Sequence, residues 1–158
     1  MFNTVLKNWI ESLFPCQAGF VKARIFTELK QFLVKHREIN HQTQILEDNI
    51  DIRINPFLLE KDVKTIIVVI VPYKHDNDML NDKTSVVSRG FWGKDYHAVI
   101  KEQLLKISTF IKKEFNGKSL TLCDNHPLPE RYLAYLAGLG YFGKNQMLIN
   151  PNPIHCRT

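Results

Sequence analysis

Cysteine is scarce in this sequence: Cys16, Cys123 and Cys156 are the only three in 158 residues, and they lie far apart. There is no C-x-x-C and no Cys/His pair at zinc-finger spacing, so neither a structural zinc site nor an iron–sulfur cluster is written here. An odd, scattered set suits reduced, buried thiols in a cytosolic protein rather than a disulfide framework. No apolar run approaches the roughly 20 residues that a membrane helix needs. No Lys/Arg cluster resembles a nucleic-acid-binding tail. Internal repeats, low-complexity tracts and dividing linkers are absent. The N-terminal stretch MFNTVLKNWIESLF is amphipathic and lacks the charged cap and apolar block of a signal peptide.

What remains is a globular composition, 44% hydrophobic and 11% aromatic, which predicts one domain over residues 1–158 with a real core. The net charge of +5 is compatible with a phosphate-rich partner, and equally with an ordinary cytosolic enzyme. Val5, Leu6, Trp9, Ile10 and Leu13 form one stripe and predict a helix over 4–14, stopped by Pro15. A second helix is expected from about Thr27 to His36, with Leu29, Phe32, Leu33 and His36 on one face. Residues 37–51 are polar and aperiodic and read as an exposed connection.

The strongest strand signal is TIIVVIV, Thr65 to Val71. A run of β-branched residues without polar alternation predicts an interior strand covered by helices on both faces. A long polar loop follows at 74–87. Ser88 to His97 then mixes glycines, aromatics and charge at the mouth of a helix from about Asp95 to Phe115, stopped by Asn116-Gly117. Tyr96 begins the apolar stripe Ile100, Leu104, Ile107, Ile111 and could simply pack. His97 lies off that stripe and can face a ligand or water. Arg53, before Asn55-Pro56, can clamp a carboxylate or phosphate with its planar fork, or stay solvated.

The last third, Leu120 to Pro151, concentrates the chemistry-bearing features. A short alternating run, Leu120 and Leu122, reads as a strand ending at Asp124; a helix over about 130–137 and a strand at Met147-Leu148-Ile149 follow. Gly138-Leu-Gly140-Tyr-Phe-Gly143 matches the letters of the dinucleotide-binding pattern. It follows a helix instead of a strand, so it reads as a helix stop and tight turn. Asp124, held against Leu122 and Cys123, can keep its proton near neutral pH and act as a general acid, or merely make the turn before Pro127.

Several separated motifs occur together and in order: Arg53-x-Asn55-Pro56; Pro72-Tyr73; Ser88-Arg89 to Gly93-Lys94-Asp95-Tyr96-His97; Asp124-x-x-Pro127-Leu-x-Glu130-Arg131; and Ala137-Gly138-Leu-Gly140-Tyr-Phe-Gly143-Lys144-Asn145 with Leu148-Ile149-Asn150-Pro151. Over roughly residues 45–151 the sequence resembles the N-terminal domain of the epoxyqueuosine reductase family. The resemblance implies a single-domain α/β sandwich with a central mixed sheet, similar to cobalamin-processing and nitroreductase-like proteins. It implies reduction of epoxyqueuosine to queuosine in tRNA, the last step of queuosine biosynthesis, by a cytoplasmic oxidoreductase that uses cobalamin and 4Fe-4S clusters. Asp124 matches the family's proton donor. Arg53, Ser88, Arg89, Tyr96, His97, Lys144 and Asn145 match segments that line the cobalamin and substrate pocket.

The sequence departs from the family at its end. Family members continue into a ferredoxin-like domain with C-x-x-C-x-x-C-x-x-x-C-P motifs, and this sequence stops at Thr158 without one. The expectation is therefore a cobalamin-binding catalytic part that binds no cluster, is inactive alone and draws electrons from a separate iron–sulfur donor. The alternatives are a corrinoid carrier and a nitroreductase-like flavin or nucleotide binder.

Overall fold

The computed structural model describes residues 2–39, 49–72, 95–124 and 126–151. Helix α1 spans Phe2–Leu13 and β1 Gln17–Lys22; α2 is Glu28–Ile39 and α3 Ile50–Ile54. A single 3₁₀ turn, Pro56–Leu58, leads to β2, Thr65–Ile70. Then come α4, Tyr96–Phe115; α5, Glu130–Leu136; and a small hairpin of β3, Tyr141–Phe142, with β4, Leu148–Ile149. The loop 74–87, the Ser88–Lys94 stretch and Cys156 lie outside the described residues.

Strands β1 and β2 pair antiparallel, Gln17 opposite Ile70 and Lys22 opposite Thr65. Side chains alternate across this pair, so its two faces feed two clusters. Ala18, Phe20, Ile67 and Val69 join Leu6 and Ile10 of α1 and Ile107 of α4. Val21, Ile66 and Val68 join Phe26, Ile54, Leu128 and Leu133 on the opposite face. Leu6, Ile10 and Phe26 are fully buried, and each such side chain contributes about 1.5–3 kcal/mol. Trp9 stacks on Phe110 with ring centroids 3.6 Å apart, tying α1 to α4.

The helix over 95–115 is found with Asp95 as its cap and Asn116, at φ 50°, as its left-handed stop. The described residues differ from the expectations in several places. The strand β1 was not foreseen, nor was α3, whose Asn49 side chain accepts from the N–H groups of Asp51 and Ile52. Among the described residues β2 is not interior: its one ladder is with β1, and the other edge is unpaired. The two sheets seen among the described residues are both antiparallel pairs. Residues 120–123 form no ladder, and Phe32 is exposed while Leu29 and Leu33 pack inward.

Candidate active site

Asp95 starts α4 because its carboxylate accepts the His97 N–H at 3.0 Å, satisfying one of the orphan donors of the first turn. That cap places Tyr96 and His97 together at the helix mouth, rings stacked with centroids 3.9 Å apart. The second half of the site arrives with the segment 117–124. Lys118 Nζ lies 2.9 Å from Glu60 Oε2, and Ser119 Oγ donates to Ser108 Oγ at 2.8 Å. The segment thus begins beside the residues leading into β2 and carries Asp124 away from them.

Asp124 has φ +46°, a left-handed conformation that Asp tolerates better than most residues. Its Oδ2 accepts the Tyr96 hydroxyl at 2.5 Å and lies 2.8 Å from His97 Nε2, while His97 Nδ1 lies 2.8 Å from Asp95 Oδ1. One imidazole therefore bridges two carboxylates. The hydrogen bond to Asp95, aided by the charges of both carboxylates, raises the His97 pKa, and the same bond lowers that of Asp95. The bond to Asp124 pushes the Tyr96 phenol up to about 12, so Tyr96 acts as a donor near neutral pH. The expected apolar enclosure of Asp124 is not found: its side chain is 38% exposed and its neighbours are these polar groups. Burial instead raises the pKa of the adjacent Cys123 thiol.

Such an arrangement can store a proton on His97 and release it through Asp124 to a bound molecule. Tyr96 and Asp124 line a groove of about 800 Å³ that runs along Lys64–Val71 and Gly117–Asp124, with the inner side of α4 as a further wall. Of the sequence-derived candidates, Asp124, Tyr96 and His97 come together. Arg53 sits in the last turn of α3, and Lys144 and Asn145 in the exposed β3–β4 turn, where Asn145 Oδ1 accepts the Met147 N–H at 3.2 Å. None of these three lines the groove. Ser88 and Arg89 lie outside the described residues. Asp95 was read only as a helix start; an Asp cap two residues before a histidine is the signal that could have marked it as the imidazole's orienting partner.

Comparison with known proteins adds the family. Residues 53–124 match the family model described as "Epoxyqueuosine reductase QueG, DUF1730". The epoxyqueuosine reductase of Bacillus anthracis is 34% identical over 139 residues, covering 84% of this chain and 37% of that protein. That of Bacillus subtilis is 27% identical over 152 residues, covering 92% and 39%. A crystal structure of epoxyqueuosine reductase with an epoxyqueuosine-modified tRNA-Tyr stem loop superposes with TM-score 0.83 at 26% identity, covering 95% of this chain and 41% of that one. A Bacillus subtilis epoxyqueuosine reductase, TM-score 0.82, is described with an aspartate-bearing catalytic loop swung out of its active site.

These comparisons set the chain's mixed helix-and-strand fold beside that of epoxyqueuosine reductases. The chain is similar to the epoxyqueuosine reductase family, whose model it matches over residues 53–124, and it spans about two-fifths of the length of the relatives it matches.

Proposed function

We propose that this chain is the cobalamin-binding catalytic part of an epoxyqueuosine reductase, acting on epoxyqueuosine in tRNA, with Asp124 as the proton donor. The observation that carries this is the Asp124 carboxyl gripped by Tyr96 and His97 at the mouth of a groove, in a chain similar to this family. The fold reading that goes with it is a single-domain, nitroreductase-like α/β sandwich, in which β1 and β2 belong to a larger mixed sheet. Apolar side chains on both faces of that pair support it.

Reduction of an epoxide to an alkene takes two electrons and two protons and releases the oxygen as water. The corrinoid, when bound, supplies the electrons through reduced cobalt. The chain's own residues handle the proton and the position. Asp124 protonates the departing oxygen. His97, kept charged by Asp95, returns a proton to Asp124. Tyr96 holds the carboxyl in place, and with His97 offers a flat, partly exposed surface that fits a large planar macrocycle. Arg53, Ser88, Arg89, Lys144 and Asn145 stay assigned to the pocket lining on the strength of the resemblance. The three cysteines of these 158 residues fall short of one Cys₄ set, so the 4Fe-4S clusters are held outside them.

Joined to an electron-transfer portion, Asp124→Asn lowers turnover of epoxyqueuosine tRNA by about 10²–10⁴-fold while cobalamin binding is kept. Turnover at the parent rate would remove the donor role. A visible-absorption titration separates the ligand readings: a shift of the corrinoid bands is expected on adding the chain, and binding of flavin mononucleotide alone would favour a nitroreductase-like flavoprotein.

A further inference from the structure

Tyr96 and His97 hold the Asp124 carboxyl from the α4 side, through its Oδ2. They do not account for its backbone. A non-glycine residue at φ +46° persists only where its surroundings hold it there. On the C-terminal side the chain passes through His126, Pro127, Leu128 and Pro129 into α5. Each proline fixes its φ at about −65°, and Leu128 is buried with Phe26, Ile54 and Leu133. Residues 127–129 are thus set by ring geometry and core packing. His126 joins this fixed stretch to Asp124.

His126 is a buried titratable group that the proposed proton path does not use. Its side chain is 9% exposed, and its Nε2 lies 2.8 Å from Glu130 Oε1. Its Nδ1 is closed to solvent and has no partner among the described residues. A buried polar atom without a partner carries a desolvation cost that an apolar side chain would avoid. The contact with Glu130 is what the imidazole gives in return. Glu130 is 52% exposed, and an ion pair at such a site adds little to stability. The bond therefore fixes position more than it stabilises the fold.

We propose that His126 is a positioning residue for Asp124: its buried imidazole, clasped to Glu130 at the start of α5, sets from behind the carboxyl that Tyr96 and His97 hold from α4. Two residues span at most about 7 Å, so a shift of the ring is passed to Asp124 with little slack. His126 lines the same groove as Asp124. With Nδ1 closed off and Nε2 engaged by Glu130, the ring has no free polar atom to offer a bound molecule, so it acts through the chain. This deepens the role proposed for Asp124, but rests on where the carboxyl sits and not on what it donates.

The test reads the carboxyl's position through His97, by NMR titration of the 158-residue chain. The bond to Asp95 and, after it, the charge of Asp124 raise the His97 pKa, so Asp124→Asn lowers the midpoint. His126→Leu should lower it by at least half as much, and the double variant should fall no further than Asp124→Asn alone. His126→Gln, whose side-chain amide can still donate to Glu130, should keep the parent midpoint, as should Glu130→Gln, which keeps the acceptor. Glu130→Ala, at an exposed site, should reproduce the fall and takes the place of His126→Leu if that variant does not fold. A parent midpoint in the folded variant that breaks the clasp would overturn the proposal. So would a fall that adds in full to that of Asp124→Asn, or one that His126→Gln does not correct, since either marks a general loosening. Turnover that survives Asp124→Asn would remove the proton-donor reading and leave the positioning intact, so the two fail separately.

Discussion

At the scale of single residues, His97 decides how the site responds to pH. Its pKa is raised by the bond to Asp95, with further help from the charges of Asp95 and Asp124. A raised value means that the protonated ring contributes stability fully below its unfolded pKa, about 6.5, and that this contribution is lost as pH rises through the higher folded value. NMR titration of the ring should therefore give a value above the ordinary one, and Asp95→Asn should bring it down toward about 6.5. An unchanged midpoint in that variant would mean that Asp95 only caps α4. Gly19 is a second residue whose identity is fixed by contact. A Cβ there would meet Ala137 Cβ at 2.7 Å and Ala137 O at 2.8 Å. Gly19→Ala should cost about 1–3 kcal/mol in urea unfolding, since backbone cannot yield as a side chain can.

At the scale of elements, the same glycine explains why β1 was not legible. Gln17-Ala18-Gly19 has weak strand propensity, and only the close approach of α5 gives the glycine a purpose. By contrast α1, α4 and β2 could be read from period and β-branching because burial wrote the pattern directly into them. The strand expected at 120–122 carries the alternation but lacks a ladder partner among the described residues, so pattern alone overstated it. Of the candidate site, Asp124, Tyr96 and His97 were legible; Asp95 was not, because a capping role and a ring-orienting role look alike in one dimension. The cap has a stability consequence. Asp95→Ala should destabilise the fold by about 0.5–2 kcal/mol through α4, whereas Asp95→Asn, which still accepts the His97 N–H, should recover most of it. Equal losses in thermal unfolding would place the effect in the charge pair instead.

At the scale of the whole molecule, the proposed function raises the question of where electrons enter. The chain spans about two-fifths of its relatives, and its two described cysteines are a buried Cys16, pushed up to about 11 mainly by burial, and Cys123 beside the site. The three cysteines of these 158 residues cannot by themselves complete a four-thiolate cluster. On the proposed function, the cobalamin-loaded chain should leave epoxyqueuosine tRNA unchanged when given no reductant. A chemical donor of sufficiently low potential should then start turnover, because position and proton supply reside in this chain and only the electrons are missing. Asp124→Asn should remain slow with the same donor, which separates the proton step from the electron step. Iron and acid-labile sulfide at one cluster per chain, together with turnover on a physiological donor alone, would show instead that this polypeptide carries its own electron path.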